Sequence, residues 1–126
     1  MRGQAFAADS DVTLVLTSCG RFDLLRRTLE SFARFNTYPM RTCIITEDSG
    51  DEGVFEALPQ GWREHTQVIL NRPQLGQIRS IDAAYSRVET PYIFHCEDDW
   101  EFHRPGFIED SKLILEKSAN TLQVWL

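Results

Sequence analysis

Short runs of β-branched and apolar residues alternate along this chain with stretches whose apolar residues recur every three or four positions, and that alternation is its most constraining feature. Residues 12–17, VTLVLT, are apolar or β-branched throughout, the pattern of a strand buried on both faces of a parallel sheet. From Phe22 to about Phe35 the period changes. Leu25, Leu29, Phe32 and Ala33 share one helical face, Arg26, Arg27, Glu30 and Arg34 lie outside it, and Asn36 and Pro39 end the helix. Residues 42–47, TCIITE, predict a second strand, followed by an acidic turn at 48–52 and a short helix at 54–58 that stops at Pro59. A third strand at 66–70 is broken by Asn71-Arg72-Pro73. A strong helix is expected from about Leu75 to Val88, with Ile78, Ile81, Tyr85 and Val88 forming its buried stripe. Residues 92–96, YIFHC, predict the fourth strand, Phe107 to about Lys117 a helix opened by Pro105, and residues 121–126, TLQVWL, a further strand. Strands alternating with helices define an α/β chain with a mostly parallel sheet, right-handed crossovers and helices on both faces. A last strand that stops on Val-Trp-Leu, without a polar tail, leads to the expectation that the fold is incomplete at the C-terminus.

The 126 residues suit one domain, expected over 11–126, with 1–10 as a flexible N-terminal tail. Thirteen Lys+Arg against 19 Asp+Glu give a formal charge of -6, so no basic surface is offered to a phosphate backbone and no nucleic-acid partner is expected. No apolar run approaches the roughly 20 residues of a membrane span, and the first ten residues lack the apolar core of a signal peptide. Cys19, Cys43 and Cys96 are odd in number and widely spaced, which indicates neither a disulfide framework nor a thiolate zinc site. A cytoplasmic protein is expected.

In open parallel sheets the ligand crevice lies beyond the carboxyl ends of the strands, where the strand order reverses. The predicted strands deliver Thr17-Ser18-Cys19-Gly20-Arg21, Glu47-Asp48-Ser49, Asn71-Arg72 and Glu97-Asp98-Asp99 to that edge. Three successive carboxylates repel one another, and a cation relieves the repulsion. Oxygen ligands select Mg²⁺ or Mn²⁺, and Mg²⁺ is held through one or two carboxylates plus the phosphates of a substrate. The other reading of the triplet is a solvated acidic turn. Asp48 is either a turn-former in Asp-Ser-Gly or an acceptor for a base or ribose. Arg21 stands at a strand-to-helix corner, facing an anion or simply solvated, and Arg79 either flanks the core or points to the crevice. No GxGxxG or GxxxxGK[ST] follows the first strand, and no G-x-S-x-G surrounds Ser18, so dinucleotide, P-loop and serine-hydrolase sites are not supported. His103 reads as a surface residue and Cys96 as core filler, while Trp100 and Phe102 either wall the crevice or are buried.

The segments VTLVLTSCGR, IITEDSGD, LGQIRSIDAAYSRVETPYI and IFHCEDDWEF together resemble the nucleotide-binding half of glycosyltransferases with the GT-A fold, in particular family 2-like enzymes, from about Val12 onward. The resemblance implies a Rossmann-like sheet that binds a nucleoside-diphosphate sugar, usually a UDP-sugar, and transfers the sugar to an acceptor glycan or other hydroxyl compound. Glu97-Asp98-Asp99 is similar to the DxD motif, with Glu first. It implies Glu97 and Asp99 as holders of Mn²⁺ or Mg²⁺ and Asp98 as a nucleotide-sugar contact. It further implies Glu47 or Asp48 at the nucleoside, Thr17, Ser18 and Arg21 flanking the same pocket, and Arg79 as the Arg of the helix before the fourth strand. The spacing from Gly76 to Arg79 is shorter than the family's. In the family the carboxylate base comes from the C-terminal half, which no stretch here matches, so the base is expected outside this chain. The alternative is a non-catalytic nucleotide-sugar-binding or assembly module whose open sheet edge or apolar end pairs with another chain, a second copy included.

Overall fold

In the computed structural model, which describes residues 4–125, β1 (Val12–Ser18) has a parallel neighbour on each side and is buried at every residue but Thr17. With β2 (Cys43–Glu47), β3 (Thr66–Leu70) and β4 (Tyr92–Glu97) it forms an all-parallel sheet of order β3-β2-β1-β4. Register pairs Ser18 with Glu47 and Thr17 with both Thr46 and Glu97, so the carboxyl ends of β2, β1 and β4 lie level. The chain steps outward from β1 to β3 and then crosses back to β4. Because parallel crossovers keep one hand, that reversal puts their helices on opposite faces. The result is the α/β, Rossmann-like architecture expected from the alternating pattern.

Alternation along β1 separates the two faces. Leu14 and Leu16 join Leu25, Leu29 and Phe32 of α1 (Phe22–Phe35) and Phe107 and Ile108 of α3 (Phe107–Lys117), whereas Val15 joins Ile44 and Ala84 of α2 (Gln77–Tyr85). Phe32 is the centre of the larger core, its ring 5.4–6.0 Å from those of Trp62, Phe94, Phe102 and Phe107. Phe102 is thus a core residue, with Trp100 half-buried beside it. Lys112 of α3 reaches Asp11 at 2.8 Å and the Tyr38 hydroxyl at 2.9 Å, tying that helix to the start of β1.

Four expectations are corrected. Residues 5–10 are not a flexible tail: Phe6 is buried against Trp62 and stacked on His65, Ala7 N–H donates to Met40 O, and the Ser10 hydroxyl donates to Pro39 O; residues 1–3 lie outside the described residues. The helix expected at 54–58 is a 3₁₀ helix over Glu52–Ala57, started by the Asp51 carboxylate accepting from Gly53 N–H at 2.8 Å. α2 is shorter than the span 75–88, because Gly76 takes φ +85° and the amides of Leu75 and Gly76 are bonded elsewhere. Its sheet-facing residues are the small Ser80 and Ala84, and Ile78, expected in the buried stripe, is 78% exposed. Residues 121–125 form no strand, since β4 pairs only with β1 among the described residues, and Leu122 and Trp125 stand exposed; Leu126 lies outside the described residues.

Removing the Phe32 ring deletes contacts with four aromatic neighbours and leaves a cavity the rigid sheet cannot close. Phe32→Ala is expected to cost about 3–5 kcal/mol in urea denaturation, whereas Ile78→Ala is expected to change stability by under about 0.5 kcal/mol.

Candidate functional site

The reversal of strand order falls between β1 and β4, and a cleft of about 250 Å³ opens there. Thr17, Ser18 and Cys19 enter it from β1, Asp48 from the end of β2, and Glu97 and Asp98 from the end of β4. Gln74, Gly76, Gln77 and Ser80 close the remaining side from the loop before α2 and its first turns. Five residues singled out in the sequence, Thr17, Ser18, Asp48, Glu97 and Asp98, therefore share one wall-to-wall space.

Glu47 and Asp48 build this edge of the sheet. Glu47 is fully buried, and its Oε2 accepts from Gly20 N–H at 2.8 Å, from Ser49 N–H at 2.9 Å and from the Ser49 hydroxyl. It thereby staples the turn after β1 to the turn after β2 and does not line the cleft. Asp48 Oδ1 accepts from Asn71 Nδ2 and Leu75 N–H, both at 2.8 Å, and Oδ2 accepts from Gly76 N–H at 3.0 Å. Burial alone would raise the pKa of Asp48. The donors from Leu75, Asn71 and Gly76 outweigh it and hold the carboxyl below its ordinary range. Both readings of Asp48 thus meet: it organises a turn, though one some 27 residues away in sequence, and it borders the cleft.

The acidic turn is organised by Arg21. Its Nε and a terminal nitrogen bond the two oxygens of buried Asp98 at 3.2 and 2.5 Å, and the same nitrogen lies 4.0 Å from Asp99. The Asp98 hydrogen bonds, with the charges of Asp98, Asp99 and Glu97, raise the pKa of the guanidinium. Arg21 is therefore spent on the turn and does not line the cleft. The Thr28 hydroxyl, shared between Asp98 O at 2.8 Å and Trp100 O at 2.7 Å, anchors the turn to α1. Part of the repulsion expected among the three carboxylates is thus answered by a protein cation. Arg79 is exposed on α2 and lines no part of the cleft, so the structure does not bring it to the other site residues.

Oxygen donors for a divalent ion remain. Glu97 lines the cleft, held only by a 3.4 Å bond from Gln77 Nε2, and the Asp99 side chain is half exposed. Among the described residues no three His, Cys, Asp or Glu side chains form a ready-made shell. Of the two carboxylates expected to hold a metal, Glu97 lines the cleft and Asp99 does not, so an ion at Glu97 would take most of its ligands from water or a substrate. His103 is exposed and apart from this edge.

Sequence reasoning delivered Cys19 and Asn71 to this edge without giving either a role, and missed Gln74, Gly76, Gln77 and Ser80 as lining residues. The Asn before Arg72-Pro73 and the Gly at 76 carried a signal, because both mark a loop held in a fixed shape at a strand mouth. No protein-family model matches the chain, and no curated protein matches it.

The lowered pKa of Asp48 carries a sign. A depressed folded-state value contributes stability that is fully present above the ordinary carboxylate pKa of about 4 and is lost as pH falls through the folded value. The stability difference between wild type and Asp48→Ala, from urea denaturation, is expected to be flat from pH 7 to 5 and to shrink only below about pH 4.

Proposed function

We propose that this chain is the nucleotide-sugar-binding half of a GT-A-type glycosyltransferase and that the cleft between β1 and β4 takes the nucleoside diphosphate of the donor. The observation that carries the reading is the convergence of Thr17, Ser18, Asp48, Glu97 and Asp98, from three strand ends, on one cleft at the reversal of strand order. A second feature supports it. Ser18 is one of the lining residues, and its hydroxyl is buried without a hydrogen-bond partner among the described residues; a buried hydroxyl left unpaired costs about 1–3 kcal/mol. A polar ligand removes that cost.

In this reading Glu97 and Asp99 would hold Mn²⁺ or Mg²⁺. The ion, when bound, supplies Lewis-acid stabilisation of the charge that develops on the departing diphosphate. Ser18 Oγ and Asp48 Oδ2, the latter with one donor in place, orient the nucleoside. Asp98, neutralised by Arg21, shapes the cleft without adding its own negative charge next to the phosphates. Transfer to a hydroxyl acceptor further requires a carboxylate base, which this reading places outside the chain.

A non-catalytic nucleotide-sugar-binding or assembly module is the second reading. It is favoured by the outer edge of β4, unpaired among the described residues, and by the exposed Leu122 and Trp125 beside it. No helix of the described residues is long and apolar enough to cross a membrane, which fits either reading.

Titration calorimetry with UDP is expected to show binding at least about tenfold tighter in Mn²⁺ than in chelator. In Asp99→Ala that ratio is expected to fall towards one while the melting temperature holds. Equal UDP heats with and without Mn²⁺ in the wild type contradict the reading.

A further inference from the structure

We propose that Asn71, which does not line the cleft, is the positioning residue that sets its nucleoside-facing wall through Asp48; the proposal rests on the nucleotide-binding reading of that cleft. The wall is made by the loop at 74–76 and the first turns of α2, none of which is part of the sheet. It is held in place by the carboxylate of Asp48, which accepts from the amides of Leu75 and Gly76. That carboxylate has to be oriented. Asn71 does so: its Nδ2 donates to Asp48 Oδ1 at 2.8 Å and to Ser80 Oγ at 2.9 Å, while its own amide donates to Glu47 O at 3.0 Å.

The chain of bonds runs from the sheet to the wall. Asn71 is fixed at the end of β3 by the β2 backbone, and Asn71 and Ser80 are both buried. The Ser80 hydroxyl donates in turn to Gly76 O at 2.7 Å, which closes the circuit on the residue where the backbone turns at φ +85°. Alongside it, Arg72 donates twice to Gly50 O, at 2.9 and 2.7 Å, and ties the start of the loop to the turn after β2. Asn71 Nδ2 and Leu75 N–H both occupy Oδ1, which turns Oδ2, bonded by Gly76 N–H, to the loop side that borders the cleft. Without the amide, Asp48 loses its one tie to β3 and is held only by the loop and by α2, whose position it is meant to fix, before any residue that lines the cleft has been altered.

Hydrogen exchange and UDP titration in Mn²⁺, both on the full chain, test this together. In Asn71→Ala the amides of Leu75 and Gly76 are expected to exchange at least about tenfold faster than in wild type, and the UDP dissociation constant to rise at least about tenfold, the size of losing one hydrogen bond to a charged group. Amides of β1 are expected to keep their protection, which a general loss of structure would not allow. Asn71→Asp keeps the side-chain shape, loses the donor and sets a second carboxylate against Asp48, so it carries the test where the alanine variant is too unstable to purify. Unchanged exchange at Leu75 and Gly76, or an unchanged UDP affinity in a wild type that binds UDP, overturns the proposal. A wild type that binds no UDP defeats the functional reading alone, and the exchange rates still decide the role of Asn71.

Discussion

Two adjacent carboxylates at the end of β2, Glu47 and Asp48, are buried side by side in a chain whose overall charge is already negative, and backbone amides from distant loops donate to each, to Glu47 through Oε2 alone. Glu47 draws in the turn after β1. Asp48 draws in the loop before α2. A parallel sheet of order β3-β2-β1-β4 makes a crevice at its carboxyl edge in any case, but the edge is left ragged by loops of unequal length. These two residues set where the loops lie, and therefore which side chains face the crevice.

Charge explains the β4 side of the cleft in a way that the acidic triplet alone does not. Arg21, half exposed at the start of α1, bonds both oxygens of buried Asp98 and approaches Asp99. A protein cation thus takes up one carboxylate and part of the field of another, leaving Glu97 and the exposed oxygens of Asp99 as donors. In the proposed reading these two would share a metal with a substrate rather than close a cage around it, since two carboxylates satisfy only part of the coordination shell of Mg²⁺ or Mn²⁺.

Much of this was legible in the sequence because it depends on period and on strand ends. The runs VTLVLT, TCIITE and YIFHC carry the burial of both sheet faces in their composition, and residues just past them must reach the carboxyl edge. What was not legible depends on partners far along the chain. The Asp48–Leu75 bond spans 27 residues and the Arg21–Asp98 pair 77, so neither leaves a local pattern, and the two local readings of Arg21, facing an anion or solvated, both leave out the carboxylate it bonds. Phe6 finds Trp62 and His65 in the same unreadable way, which is why the first ten residues looked like a tail. Residues 121–125 have strand composition, yet a strand exists only where a neighbour accepts its hydrogen bonds, and β4 pairs with β1 alone among the described residues.

In the proposed reading the cleft between β1 and β4 takes a divalent ion together with a nucleoside diphosphate. Paramagnetic broadening of backbone amide signals by substoichiometric Mn²⁺ in the presence of UDP tests it most directly. Selective loss of the signals of Thr17–Cys19, Gly76–Gln77 and Glu97–Asp99, dependent on UDP and reversed by excess Mg²⁺, is the predicted result. Broadening scattered over acidic residues elsewhere, such as Asp23, Glu52 and Glu116, or a pattern indifferent to UDP, would contradict it.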